Sequence, residues 1–277
     1  MQSKLNPVPR RRPSLRSRMA APVVAGAAAL VSSACGLLDD APDPTVMEEH
    51  QQMLTTCGDA PPASLVLVDG TGSSNSEAIT AERLDAIGHV ARQTAVCSGY
   101  LRVAVFSFSS AATTVLYDGS LQPHGATGNA RIRRVPALVD EAMTEIRDGY
   151  APALAELPGG GSDITAQLRL GVEWIDQLGD GYRLNLVVLT DGFHNVGHKP
   201  GDEVLTPAEA EALVNETSVP DLAGASVTVA GIGRVAEEPP SSAVVEGLVF
   251  YYEALCMQTG AEECIAVTDY ALGGESA

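Results

Sequence analysis

The sequence predicts an α/β fold with a doubly wound, mainly parallel central sheet, one antiparallel edge strand and helices on both faces. From Ser64 onward, short apolar segments alternate with helical stretches, as in chains whose strands are joined by helical crossovers. Several apolar segments are continuous rather than alternating, which is expected of strands that are covered on both faces. With 277 residues and 45% hydrophobic content, the chain is large enough for one domain with a sizeable core.

Six strands are predicted in this pattern. They are Ser64–Val68, Leu101–Ser107, Thr113–Tyr117, Leu184–Leu189, Ser226–Gly231 and Cys264–Val267. The third strand follows the second after a short link. Such a link suits an antiparallel hairpin, because a parallel crossover needs about a dozen residues or more. The third strand is therefore expected to be the antiparallel edge.

Five helices are predicted between and around these strands. They are Glu77–Thr94, Ile132–Leu157, Ile164–Leu178, Pro207–Asn215 and Ser242–Met257. Pro152 is expected to break the second helix, because proline removes a backbone donor from the helical ladder. Trp174 lies on the third helix near other apolar residues and is expected to pack in the core.

Residues 1–35 are predicted to be a signal peptide. Residues 1–18 contain six cations and no acid, and the stretch Ala20–Ala34 that follows consists mostly of apolar and small residues. This order is typical of a secretory signal. The apolar stretch is too short for a membrane-spanning helix, which needs about 20 apolar residues.

The end of this leader points to lipidation. Val31-Ser32-Ser33-Ala34-Cys35 resembles a bacterial lipobox, whose cysteine is acylated and becomes the mature N-terminus, although Ser32 replaces the usual aliphatic residue. We expect lipidated Cys35 to anchor the protein at the outer face of the bacterial cytoplasmic membrane. Secretion without an anchor is the alternative.

Residues 36–61 are predicted to be an acidic, proline-containing tether with a short helical turn near Val46–Leu54, and residues 62–277 to be the folded domain. The leader holds six of the 17 cations and none of the 35 acids, so the exported part has 11 cations against 35 acids, a net charge of −24. Such a charge repels phosphate backbones and anionic membrane surfaces. We therefore expect no nucleic-acid partner.

Four cysteines follow the leader: Cys57, Cys97, Cys256 and Cys264. An even number in an exported chain indicates disulfides, and four cysteines permit three pairings. Their placement relative to the predicted elements favours Cys57–Cys97 and Cys256–Cys264. A zinc cluster is less well supported, because no Cys-x-x-Cys spacing occurs.

Oxygen-bearing side chains follow the ends of two predicted strands and precede one helix. The first group is Asp69-Gly70-Thr71-Gly72-Ser73, the second is Ser162 with Asp163, and the third is Thr190-Asp191-Gly192. In doubly wound sheets, ligands bind outside the carboxyl ends of the strands. Hard cations such as Mg²⁺ prefer oxygen ligands and keep some waters.

These three segments together resemble a von Willebrand factor type A (VWA) domain with its metal-ion-dependent adhesion site, over about residues 62–270. The resemblance implies a Rossmann-like VWA fold and a bound Mg²⁺ or Mn²⁺. Its metal ligands would be Asp69, Thr71, Ser73, Ser162 and Asp191. Thr71 replaces the commoner serine and Ser162 the commoner threonine. In the family, an acidic side chain of a partner protein completes the coordination of the metal.

The function expected on this basis is metal-dependent protein binding at the cell envelope, without catalysis. A metal-dependent envelope hydrolase is one alternative, but no general base is evident beside the proposed metal. A metal-free structural scaffold is the other. His194 and His198 are expected to be exposed loop residues rather than zinc ligands, and Asp163 is expected to cap the helix that follows it.

Overall fold

The computed structural model describes residues 43–74, 76–108, 112–159, 161–179, 181–194, 196, 200 and 203–272. All of these residues belong to one compact unit, Ala41–Ala277. The predicted signal peptide, with Cys35, lies outside the described residues. None of the helices in the described part of the chain is long and apolar enough to cross a membrane.

A six-stranded sheet forms the centre of this unit. Its strands are β1 (Pro62–Asp69), β2 (Tyr100–Phe106), β3 (Thr113–Ser120), β4 (Arg183–Leu189), β5 (Ser226–Ala230) and β6 (Glu263–Val267). Their spatial order is β3-β2-β1-β4-β5-β6. β3 pairs antiparallel with β2, and all other pairs are parallel. The predicted fold class, including the antiparallel edge strand, is confirmed.

Helices flank the sheet on both faces. They are α1 (Pro44–Leu54), α2 (Glu77–Val96), α3 (Gly128–Ile132), α4 (Val135–Glu156), α5 (Ile164–Leu178), α6 (Pro207–Asn215) and α7 (Ser242–Gln258). Side chains of α2 and α4 form one hydrophobic core with one face of the sheet. Side chains of α5, α6 and α7 form a second core on the opposite face, and Trp174 is buried there as predicted.

The helix predicted from Ile132 to Leu157 begins later than expected, and its internal proline does not break it. The short helix α3 ends at Ile132, and α4 begins at Val135 with a proline in its first turn, a position that suits the fixed backbone of proline. Pro152 lies inside α4 and does not break it. Only about one turn of helix follows Pro152, so few hydrogen bonds depend on continuation past it.

The helix α1 forms part of the segment that was predicted to be a tether. It covers 11 residues rather than a single turn, and Asp43 caps its first turn. Its residue His50 is buried, and Met53 packs against the core formed by α2 and α4. This helix therefore packs on the folded unit instead of standing away from it.

The described part of the chain contains the two predicted disulfides, Cys57–Cys97 and Cys256–Cys264. The first joins the segment between α1 and β1 to the residue after α2. The second joins α7 to β6. Disulfides of this kind are typical of proteins that mature in an oxidising compartment outside the cytoplasm.

The topology creates a crevice between β1 and β4. The chain leaves β1 toward α2 on one face of the sheet, whereas it leaves β4 toward α6 on the other face. Two neighbouring parallel strands whose connections diverge in this way form a topological switch point, where ligands bind in α/β proteins. The loops after Asp69 and Leu189 border this crevice.

Candidate functional site

The first carboxylate of the predicted site ends β1 and is fully buried. Asp69 Oδ1 accepts hydrogen bonds from the Thr71 amide at 3.0 Å and from the Thr71 hydroxyl at 2.8 Å. Thr71 Oγ1 lies 3.4 Å from Ser73 Oγ, and Ser73 is exposed to solvent. The structure therefore brings together the three predicted ligands of the first loop.

The direction of the Thr71 hydrogen bond matters for cation binding. A hydroxyl group has one hydrogen to donate and two lone pairs to offer. Because Thr71 donates its hydrogen to Asp69, the lone pairs of Thr71 Oγ1 remain available to a cation. The Asp69 carboxylate thus orients the hydroxyl in addition to supplying negative charge.

Thr190 is a site residue that the sequence reasoning did not assign. Its hydroxyl donates to Asp69 Oδ2 at 2.8 Å and accepts from the Gly192 amide at 3.1 Å. Val68 and Leu189 are partners in the β1–β4 register, so Asp69 and Thr190 are the next pair along the two strands. Strand adjacency was the missing signal, because the sequence alone does not pair β1 with β4.

The second carboxylate, Asp191, is also fully buried. Asp191 Oδ1 accepts from the Phe193 amide at 3.0 Å, and its backbone oxygen accepts from Gly233 at 2.8 Å. The second bond ties this loop to the turn between β5 and α7. Burial is the largest cause that raises the pKa of Tyr252 and of Tyr270, and the charges of Asp69 and Asp191 add to it in both. The charges of both carboxylates therefore reach the space around Tyr252 and Tyr270.

Ser162 reaches this region from the loop before α5. It is buried, and its backbone oxygen accepts from the Val196 amide at 3.3 Å, which links it to the loop after Asp191. The neighbouring Asp163 caps α5, since its side chain accepts from the Ala166 amide at 2.9 Å. The predicted capping role of Asp163 is confirmed.

Gly70 lies in close contact with the end of α4, and its backbone conformation does not itself demand glycine. Neither Gly70 nor Gly72 has a positive φ. A Cβ atom on Gly70 would lie 2.2 Å from Leu157 Cδ1 and 2.9 Å from Leu154 Cδ2, whereas one on Gly72 would meet nothing within 4 Å. The end of α4 therefore packs directly against the backbone of the first loop.

The loop histidine that the structure describes is not exposed, contrary to expectation. His194 is 4% exposed and lies edge-on to the rings of Tyr251 and Tyr252. Tyr252 donates its hydroxyl hydrogen to Gly192 O at 2.7 Å, and His194 Nδ1 lies 3.3 Å from the same hydroxyl. This arrangement places His194 in the core beneath the Asp191 loop. His198 lies outside the described residues.

Arg83 is a second residue whose role the sequence did not predict, and it contacts the backbone of Asp69. Arg83 is on α2 and is fully buried. Its Nη1 donates to the Asp69 backbone oxygen at 2.8 Å, and its Nε donates to the Tyr270 hydroxyl at 3.1 Å. The helical pattern gave no signal for a buried cation, because an arginine on an amphipathic helix is ordinarily exposed.

The donor chemistry of these loops fits a hard divalent cation. The proposed ligands are all oxygens, and they combine two carboxylates with three neutral hydroxyls. Mg²⁺ and Mn²⁺ prefer such ligands. Within the described ranges, no group of three or more His, Cys, Asp or Glu side chains could hold a metal ion.

Several solved structures are similar to this chain in fold. BatB from Bacteroides thetaiotaomicron is 12% identical with a TM-score of 0.41, covering 74% of this chain and 89% of that one. The pilus adhesin SpaC from Lactobacillus rhamnosus GG is 15% identical with a TM-score of 0.41, covering 76% of this chain and 28% of that one. The manganese-loaded TRAP protein of Plasmodium vivax is 19% identical with a TM-score of 0.34, covering 63% of this chain and 58% of that one.

These similarities are low, and this chain spans 28% of SpaC and 58% of TRAP, which is under two thirds of each. No family model and no curated protein matches the chain. The fold assignment therefore rests on the strand order and pairing of this protein itself.

Proposed function

We propose that this protein is a metal-ion-dependent protein-binding module of the cell envelope. In this proposal, Asp69, Thr71, Ser73, Ser162 and Asp191 hold Mg²⁺ or Mn²⁺. An acidic side chain of a partner protein completes the coordination of the metal. The observation that carries the proposal is the Asp69 carboxylate, which is buried at the switch point and accepts the hydroxyl hydrogens of Thr71 and Thr190.

The charge of the ligand set explains why a partner carboxylate would be attracted. The two carboxylates cancel the formal charge of a divalent cation. The other three proposed ligands are neutral hydroxyls, which donate little electron density, so the bound cation still attracts negative groups. Mg²⁺ keeps several exchangeable waters in its octahedral shell. A carboxylate from outside can replace one of these waters, and the proposed ligand Ser73 is exposed to solvent.

We propose binding rather than turnover at this site. A hydrolase would need a general base within hydrogen-bond reach of a metal-bound water. Asp163 is engaged in capping α5, and His194 lies in the core against Tyr251 and Tyr252. Both side chains therefore have structural roles, which favours stoichiometric capture over catalysis.

We also propose that the module is held at the membrane surface by lipidated Cys35. The lipobox-like sequence supports the anchor, and the two disulfides support export. The helix α1 follows the acidic segment after Cys35, so a short linker would hold the module near the membrane. The acidic charge of the module keeps its own surface away from anionic lipid headgroups.

The proposed function is tested by binding to immobilised peptides in which one glutamate is replaced by glutamine. We expect Mn²⁺ to promote binding to a subset of glutamate peptides and not to their glutamine counterparts, and a chelator to abolish it. Asp69→Asn, which keeps the shape of the side chain and removes its charge, should lose this binding. Binding that is equal for glutamate and glutamine, or that survives chelation, would contradict the proposal.

A further inference from the structure

Arg83 is a buried cation, and no carboxylate of the described residues forms a direct ion pair with it. Its guanidinium donates to the Asp69 backbone oxygen and the Tyr270 hydroxyl, and it lies 5.5 Å from the centre of the Tyr270 ring. In the described part of the chain, the ion pairs within 4.0 Å are formed by other arginines, Arg102, Arg183 and Arg234. The Tyr150 hydroxyl is a further neighbour of the guanidinium: burial raises the pKa of Tyr150, and the charge of Arg83 and a hydrogen bond with it oppose that rise.

A cation in this position needs compensation from a nearby negative charge. Removing an ammonium or guanidinium group from water costs several kcal/mol unless its charge is balanced. Around the guanidinium lie the phenols Tyr150 and Tyr270, which are neutral at physiological pH, and Asp69. Asp69 is the carboxylate in this set, and it belongs to the proposed metal site.

We propose that Arg83 is a built-in counter-charge of the cation site, an inference that rests on the proposed function. Without a cation, its positive charge offsets the buried carboxylate of Asp69 and holds the first loop through the Asp69 backbone oxygen. With a cation bound, the same positive charge repels the metal. Arg83 thus stabilises the cation-free loop and weakens cation binding.

This arrangement has a consequence for the partner. An additional carboxylate stabilises a weakly held cation more than it stabilises a cation whose charge the protein already balances. Arg83 therefore makes metal binding depend on the presence of the partner's acidic side chain. The charge is fixed, because arginine stays protonated across the physiological pH range.

The test removes the charge of Arg83 in two ways and compares the variants with a matched control. Arg83→Met and Arg83→Gln are neutral, and Gln keeps an N–H donor. Arg147→Met removes the same charge from an exposed position on α4. Calorimetric titration with Mn²⁺ gives the affinity, and thermal unfolding is followed in a chelator and in saturating Mn²⁺.

We expect both Arg83 variants to bind Mn²⁺ at least about tenfold more tightly than wild type, since a unit charge near a dication contributes strongly in a buried site. In a chelator, they should unfold at a lower temperature than wild type, and Mn²⁺ should raise their unfolding temperature by more. Arg147→Met should match wild type in all three measurements. Tyr270→Phe, which keeps the charge of Arg83, should lose stability without gaining affinity.

Two results would overturn the inference, and each would leave a different part of the account standing. If wild type binds Mn²⁺ and the Arg83 variants bind it equally or more weakly, Arg83 has only a structural role and the counter-charge idea fails alone. If wild type binds no Mn²⁺ even with a glutamate peptide present, the proposed function fails and this inference fails with it. Should Arg83→Met not fold, the Arg83→Gln titration decides the matter.

Discussion

Thr71 links the buried part of the proposed site to its exposed part. Its hydroxyl donates to the buried Asp69 carboxylate and lies near the exposed Ser73 hydroxyl, so it stands between the interior and the solvent. The family resemblance has serine more often at this position. The added methyl group of threonine leaves the hydrogen bond to Asp69 intact at 2.8 Å.

Replacement of Thr71 by valine tests this role, because valine keeps the branched shape and removes the hydroxyl. We expect Mn²⁺ to bind at least about tenfold more weakly, which corresponds to about 1.4 kcal/mol. The lost hydrogen bond should also lower the free energy of unfolding by about 1 kcal/mol. Calorimetry and urea unfolding measure the two effects. Thr71→Ser is the control and should stay within a few-fold of wild type; equal affinity in Thr71→Val would remove Thr71 from the ligand set.

At the scale of elements, the site depends on how closely helices approach its loops. The residues Leu154 and Leu157 at the end of α4 occupy the space beside Gly70, and Arg83 of α2 holds the Asp69 backbone. Tyr252 of α7 holds the Asp191 loop through Gly192 O. Helices from both faces of the sheet therefore fix the loops that bear the two carboxylates.

Gly70→Ala tests the contact with α4. Its new Cβ would lie 2.2 Å from Leu157 Cδ1 and 3.2 Å from the Phe106 backbone oxygen. Because the leucine methyl groups can turn aside and the Phe106 oxygen cannot, we expect a loss at the lower end of the about 1–3 kcal/mol that overpacking costs, which urea unfolding can measure. Adding Leu157→Ala should restore part of the loss. Gly72→Ala, two residues along the same loop, should change stability little, and a similar loss in both glycine variants would contradict this account of the contact.

The docking of α1 gives the protein a predicted pH dependence. Burial lowers the pKa of His50 and of His89 below the ordinary value of 6.5. The unfolded chain therefore takes up protons near that pH while the folded chain resists them, so the free energy of unfolding should fall as the pH drops below about 6.5.

Urea unfolding between pH 7.5 and 5.5 measures this decline. His50→Gln removes one titrating group and should flatten part of the decline. Glu49 raises the pKa of His50 and Arg92 lowers it, so both belong to the same local balance. A decline of unchanged size in His50→Gln would show that α1 contributes nothing to the pH dependence.

At the scale of the whole molecule, the sequence was sufficient for the fold class and for the disulfide pairing. Continuous apolar strands separated by helical stretches define the sheet, and the short link before Thr113 defines its antiparallel edge. Once the element order is known, Cys57 and Cys97 come to the same end of the sheet. These features depend on local patterns and on connection lengths, which a sequence displays directly.

Features that depend on spatial neighbours were not predictable in this way. Thr190 contacts Asp69 because β4 lies beside β1, although 121 positions separate the two residues. Arg83 and Tyr270 meet across 187 positions. The helix α1 was underestimated because its stability comes from packing on the folded unit rather than from its own sequence. Tertiary contacts of this kind leave no periodic signal.

Calorimetric titration of the purified protein with Mn²⁺, for wild type beside Asp69→Asn, tests the central claim most directly. The account predicts one binding site per chain in wild type when a glutamate peptide is present, and loss of that binding in the variant, with both proteins folded by circular dichroism. Mn²⁺ binding of equal affinity in Asp69→Asn would contradict the assigned site. Absence of binding in wild type, with and without the peptide, would contradict metal-dependent binding altogether.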